Sequence, residues 1–534
     1  MRKHIVLLII SILVSVIGMA QSLVYTEEHE LTQLLNPWTM LPNAAGLGVS
    51  PVKKHGVTEL GYDKSNGNYH RAQIGNDLSG LNFYSERYDK LSKNWLVWGS
   101  FNFQMNRETD RAWSDVFFPF NNSPYIFGSS VKGNYDRQIF DLHAKLSTVQ
   151  QGKLTWGVGV DYTAGDMSRL RDPRSRTYLA DYAVVPSLTY KLTEKHTLGL
   201  DVFARYQKEK MPNANTVQLD PTLKYYTFFG MENADAVIGA YNGFQRQFES
   251  GFYGGDIQFG YKTGKINWVN SLGMEYQLQE VSGNIKQSPG SYHSLNYKAS
   301  SMFRLIQKNK LICASLKGNY YQGASNEFRQ ELDIIPNLST GIASQEWVTL
   351  YQYSNRYITK SYNVDLDFNI RNLMADAKDY SWKAGVNLQA YGFDNQYNLP
   401  YSEMRVDRLK AGIYGHGRLL NKKNHRVNLD TKIDYDLALT NKLVLSDDAF
   451  VTPTSASTTF QQGTYDIATQ VLTPDNNYFS QNALSYKLEA SYSFPLSFKK
   501  TQLVGFLKMY IKNSQTNQNQ NWMNAGVSIG IIPL

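Results

Sequence analysis

Three carboxylates and one ammonium alternate along a short stretch of the chain: Asp430, Lys432, Asp434 and Asp436. Paired acids can chelate a cation or divide the roles of acid and base between them. At a period of two they share one face of a strand, and nearby segments offer Lys383, Lys410 and Arg418 as counter-charges. The reading is a wetted wall of mixed charge, and no metal site is expected. Cys313 is the one cysteine, so an internal disulfide framework and a thiolate cluster are excluded. Between Ile312 and Ala314 it reads as a small inward-facing residue with nothing nearby to activate it. The nine histidines are scattered. The stretch GYKTGKI at Gly260 has neither the spacing nor the hydroxyl residue of a phosphate-binding loop. The chain is expected not to be an enzyme and to need no cofactor.

One loop carries more chemistry than a surface loop needs. The stretch WSDVFFPFNNSPYIF holds Trp113, Phe117, Phe118, Phe120, Tyr125 and Phe127. Such an apolar load must be covered. It either folds inward and narrows a pore, or it presents a contact surface for a hydrophobic ligand or a partner protein.

The elements that carry these residues are strands. Leu198, Leu200, Val202, Ala204 and Tyr206 alternate with polar residues, and Phe140, Leu142, Ala144 and Leu146 do the same. Further segments repeat the pattern to the last strand, Asn521 to Ile532, which is expected to close against a first strand near Gly56 to Asp63. One face is apolar and the other wet over about ten residues, longer than the usual soluble strand of about 5–6. Charged residues are only 19% of the chain while aromatics reach 13%, a balance that suits strands. Nothing in the chain covers so much apolar sheet; lipid does, and a closed barrel satisfies every backbone group inside a bilayer. Short turns (Gln151-Gly152, Glu194-Lys195, Thr263-Gly264) alternate with long connections at Arg107 to Asp136, Lys208 to Ser250, Asn326 to Glu346 and Thr440 to Phe479. The fold class is therefore all-β: a transmembrane antiparallel β-barrel of 18 strands, with 14 or 16 as alternatives, and long extracellular loops. Aromatic residues at strand ends, among them Trp95, Trp98, Trp156, Tyr380 and Trp382, are expected in interfacial girdles. The Gln/Asn-rich stretch at Asn513 is expected as a flexible external loop.

The start of the chain sets the compartment. Arg2 and Lys3 precede an apolar run from Ile5 to Ile17, and Gly18-Met19-Ala20 places small residues where a signal peptidase cuts. Residues 1–20 read as a signal peptide, 21–54 as a periplasmic or lumenal segment and 55–534 as an outer-membrane barrel. In the second segment Thr26 is expected to cap a short helix with Leu31, Leu34 and Leu35 on one face, followed by a breaker-rich stretch that acts as a hatch or a tether. Cleavage lowers the formal charge from +8 to about +6, which gives no reason to expect a nucleic-acid partner.

The stretches NWLVWGSFNF from Asn94, RAWSDVFFPFNNSPY from Arg111, LTWGVGVDY from Leu154 and DPRSRTY from Asp172 resemble an uncharacterised family of outer-membrane β-barrels from the Bacteroidota. NPWTMLPNAAGL resembles the leader of many barrels of that phylum, fatty-acid-transporter-like ones included. The resemblance carries no assigned site residues. It implies outer-membrane lipid as the surroundings and a TonB-dependent transporter or a surface lipoprotein as partner. The function read from all this is uptake of a small solute, directly or as an accessory of a TonB-linked system. The alternative is a non-conducting barrel that is structural, adhesive or partner-docking.

Overall fold

A computed structural model describes residues 24–49, 54–216, 223–238, 244–283, 286–336, 343–374, 379–498 and 501–533. The signal-peptide reading lies outside these residues. Eighteen strands form the wall: β1 (His55–Gly67), β2 (Asp77–Lys90), β3 (Trp95–Arg111), β5 (Gly133–Thr148), β6 (Leu154–Arg169), β7 (Arg174–Lys191), β8 (His196–Asn215), β11 (Phe244–Lys262), β12 (Ile266–Gly283), β13 (Gly290–Gln307), β14 (Lys310–Pro336), β15 (Ala343–Leu373), β16 (Tyr380–Tyr397), β17 (Ser402–Lys422), β18 (His425–Val444), β19 (Ala483–Phe498), β20 (Thr501–Thr516) and β21 (Asn521–Ile532). Three short strands, β4 (Phe127–Ser129), β9 (Lys224–Gly230) and β10 (Asn233–Ile238), form a separate sheet in the order β10-β9-β4. Each wall strand pairs antiparallel with the next, and β1 closes the ring on β21 from Thr58 opposite Ile531 to Gly67 opposite Trp522.

Period-two patterning decides which side meets what. In β8, Leu198, Leu200 and Val202 are 38%, 42% and 50% exposed, whereas Asp201 between them is 1% exposed. Phe140 and Leu142 of β5 likewise point outward. A closed antiparallel barrel with this apolar belt resides in the cell outer membrane, short turns toward the periplasm and long connections outside.

Several boundaries differ from the sequence reading. The long connections are partly strand: β8 continues to Asn215, β18 to Val444, and β14 and β15 run 27 and 31 residues. Above Glu327 and Tyr357, where β13 and β16 stop pairing, β14 and β15 continue as a two-stranded ribbon. The Asn513 stretch is not a loop; β20 carries it to Thr516 before a four-residue turn. Trp98 and Tyr380 are not girdle residues. Trp98 differs in parity from Trp95 and turns inward to Glu86. A register shift at Asn372/Leu373 turns Tyr380 into the lumen, while Trp382 stays outside.

Candidate functional site

The lumen is occupied from both ends. At the periplasmic end lies the segment before β1, built as a helix (Thr26–Leu35), a 3₁₀ turn (Pro37–Met40) and a short helix (Gly46–Val49). Tyr25, not Thr26, holds the N-cap position, and no side chain caps the helix. Four small apolar contacts anchor this hatch. Tyr25 packs with Val57, Val504, Phe506 and Ile532, and Leu31 with Leu311, Cys313, Leu373 and Tyr380. Trp38 and Leu41 meet Val269 and Met302, and Leu47 meets Tyr88 and Leu96. The wall makes room for the indole at glycines: a Cβ at Gly199 or Gly260 would lie 2.8 or 2.7 Å from Trp38 ring atoms.

Between these anchors the fastening is polar. Glu27 is 2% exposed; it accepts a 2.5 Å bond from Asn428 and lies 3.8 Å from both Arg418 and Arg426. Half-buried Glu30 pairs with Arg371 at 2.8 Å and Lys383 at 3.3 Å and accepts from Tyr380. Its burial would raise the carboxyl pKa, but Lys383, Arg371 and the Tyr380 bond outweigh that and lower it to about 2. Gln33 donates to Glu86 at 3.0 Å and Asn43 to Gln258 at 2.9 Å; Lys145 donates to the Leu41 carbonyl at 2.5 Å.

The extracellular end holds a folded lid. The aromatic loop turns inward and packs with β9, β10 and the helix Thr459–Ile467. Trp113 is buried against Tyr226 with ring centroids 4.9 Å apart. Phe117 sits on Tyr135, Ile139, Met167 and Leu179 of the wall, and Tyr125 and Phe127 join the core around Tyr225, Phe248 and Tyr292. Phe118 and Phe120 remain 38% and 39% exposed. The six aromatics named from the sequence are therefore not one surface: four are lid core and two face the lumen space below.

Sequence reasoning missed the polar residues that hold this shape. Asp115 is fully buried and accepts from Tyr135 at 2.6 Å and Tyr225 at 2.5 Å; Thr177 donates to its carbonyl. Burial and then Asp115 push the Tyr225 phenol well up, so it stays a proton donor. Arg111 bonds Glu108 and the carbonyls of Ser114 and Val116. Trp113 adopts a left-handed backbone with φ 66°, unfavourable for a bulky residue, and its amide is tied to Ser129 at 2.8 Å. An acid set among aromatics in WSDVFF was the available signal.

Beneath the lid lies a cavity of about 750 Å³ bordered by lid and wall residues. Its wall comes from mid-strand positions, Arg137 and Asp141 of β5, Asp181 of β7, Arg205 of β8, Phe252 of β11 and Glu275 of β12, and its upper side from Phe117, Phe118 and Phe120. Most of its ions are already paired. Asp181 takes both donors of Arg205 at 2.8 and 2.6 Å, Glu275 takes Lys298 at 2.9 Å, and Glu108 takes Arg111 at 3.0 Å. The Asp430 stretch lies elsewhere on the wall, and each acid there is engaged: Asp430 by His416, Asp434 by Lys432, Asp436 by Arg408 and Tyr391. Among the described residues no group of three or more His, Cys, Asp or Glu could hold a metal ion.

A family model matches residues 44–532. The chain belongs to DUF6850, a family of unknown function. The match spans the end of the hatch and the whole barrel wall of this DUF6850 protein. No curated protein sequence matches it. Among solved structures it is similar to the copper transporter OprC, at 8% identity and TM-score 0.36 over 89% of this chain and 81% of that one. It is similar to the ferric yersiniabactin uptake receptor FyuA from Yersinia pestis, at 7% identity and TM-score 0.38 over 89% and 80%. It is also similar to the RagAB peptide importer in its "closed-closed" state, at 6% identity and TM-score 0.34 over 90% and 86%.

Proposed function

We propose that this barrel takes a small solute across the outer membrane through a lumen gated at both ends, without a chemical step. The observation that supports this is the 750 Å³ chamber beneath a folded lid, in a barrel whose other end holds a separately anchored hatch. A purely structural barrel needs no such space, and small-solute sites typically occupy about 300–1,000 Å³. The hatch is built to leave. Its apolar anchors are small and separate, and the seat beneath it is lined by Glu86, Lys145, Gln258, Arg371 and Arg418. Those groups take up water when the hatch departs, which offsets part of the cost of uncovering the four apolar anchors. Opening would then be driven by solute or by a TonB-linked partner that engages the N-terminal segment.

The test locks the hatch. Gln33→Cys and Glu86→Cys, joined by a reducible bis-thiosulfonate linker, should stop solute flux into proteoliposomes, and reduction should restore it. Flux unchanged by the lock would remove the gate from the mechanism. A docking role is also favoured by one feature. The ribbon above the barrel exposes Ile334, Ile335, Val348, Leu350 and Tyr351 and has two unpaired edges, which suits strand addition by a surface lipoprotein or transporter. Deleting residues 330–349 should then release a co-purifying protein while leaving the lumen as it is.

A further inference from the structure

Arg137 is the exception in the chamber. It lines the cavity, and its guanidinium carbon lies 5.5 Å from the ring centres of both Phe117 and Phe118. No carboxylate among the described residues lies within ion-pairing distance of it, no hydrogen bond satisfies it, and its buried Nε is without a partner. Each acid that faces it is otherwise engaged. Glu108 is held by Arg111 and the Gly75 amide, and Glu209 by the Phe117 amide. Asp141 is held by Asn102 and Thr163. A guanidinium is a fixed fork of five donors that always carries charge. Holding it half-buried with no carboxylate partner is costly, and a ligand anion offsets that cost.

We infer that the chamber binds a small monoanion, a carboxylate joined to an apolar or aromatic body, and that Arg137 takes the carboxylate. This rests on the reading of the chamber as part of a solute path. The body of the ligand lies against Phe118 and Phe120, the exposed rings of the lining. Asp141 sets the limit. It sits four residues along the same strand, about 13 Å away, with only neutral donors around it. A second negative charge at the far end of the ligand would meet it unscreened, so monocarboxylates are favoured over dicarboxylates.

The experiment is calorimetry on the full mature barrel in detergent, with benzoate, 4-phenylbutyrate and octanoate as probes and their neutral amides as matched controls. A charge-assisted bond is worth about 1.5–3 kcal/mol, so at least one acid should bind about 10- to 100-fold more tightly than its amide. Arg137→Gln should erase that preference, and Arg137→Lys should keep part of it because the charge stays while the fork is lost. The acid-against-amide comparison needs no variant, so a misfolded Arg137→Gln leaves the proposal open to refutation. Equal affinity for acid and amide, no binding of any acid at millimolar concentration, or a preference that survives in a folded Arg137→Gln would each overturn it. Proteoliposome flux separates the two readings. Charge-selective binding without flux would remove the transport role and keep the site; flux without charge selectivity would do the reverse.

Discussion

Replacing Glu27 with alanine should unlatch the hatch and leave the barrel standing. The carboxylate is almost fully buried, bonded to Asn428 at 2.5 Å and 3.8 Å from two guanidinium groups. At an effective dielectric of about 20, each such pair is worth roughly 4 kcal/mol before desolvation. Desolvation offsets most of that gain, and truncating one partner of a buried pair typically costs about 3–5 kcal/mol. Asp379 remains bonded to Arg418 at 2.9 Å and Arg426 at 2.7 Å, so neither cation is stranded and the low end, about 3 kcal/mol, applies. That shifts the docked-to-released ratio about a hundredfold. The assay is maleimide labelling of Gln33→Cys from the periplasmic side in a Cys313→Ala background, since Cys313 is the one native cysteine and lies under Leu31 of the hatch. The labelling rate should rise about a hundredfold in Glu27→Ala, and less in Glu27→Gln, which can still accept from Asn428. A rate within about twofold of the parent in a normally inserted barrel would show that Glu27 does not hold the hatch.

Other outcomes follow from the same contacts. Gly260→Val places a side chain where the indole of Trp38 now lies, 2.7 Å from its nearest ring atom, and should raise Gln33→Cys labelling without lowering barrel yield. Glu30 has its carboxyl pKa lowered from 4.5 to about 2, so its contribution to docking is complete above pH 4.5 and is lost as the pH falls toward 2. Labelling normalised to a fully exposed control cysteine, which corrects for the thiolate fraction, should be the same at pH 5 and pH 7, and Glu30→Gln should flatten the acid limb. Deleting Trp113 to Phe127 should barely change single-channel conductance while the hatch is seated, and should raise it together with Glu27→Ala; a large rise from the deletion alone would mean that the hatch does not block the lumen. Leu200→Arg, on the lipid face, should cost roughly 2–4 kcal/mol if it lies near the bilayer midplane, read as a lowered unfolding transition.

The wall was readable because lipid and water impose opposite demands on alternate residues, as Leu200 and Asp201 show. Even the final strand was placed from Asn521 to Ile532, where it stands. Parity fails where the ladder shifts: the bulge opposite Leu373 reversed Tyr380, and no residue type announces it. The hatch was legible as a helix with Leu31 on its inner face, but its ion pairs join Glu30 to residues about 340–350 positions away, Arg371 and Lys383. The chamber was the least legible part. Arg137 shares its face with Asp141, His143 and Lys145 and reads as one more solvated charge. Only the inward fold of the lid, pinned by Asp115, places two aromatic rings on it and leaves it without a partner.

The seam between β1 and β21 bears on how the molecule is made. Seventeen of the eighteen wall pairings join strands that follow each other around the ring, so each can zip as the chain arrives. The seam joins segments on the order of 470 residues apart, with a closure entropy near 5 kcal/mol, so it is the natural last stitch. Both strands begin or end at the periplasmic rim, and the N-terminal segment starts from that same rim. It can therefore swing into the mouth after the stitch is made, with no threading through a closed ring. An empty, stitched barrel is then a legitimate stop on the assembly line, and errors in the hatch should reach the membrane as barrels closed by the lid alone rather than perish as misfolded chains.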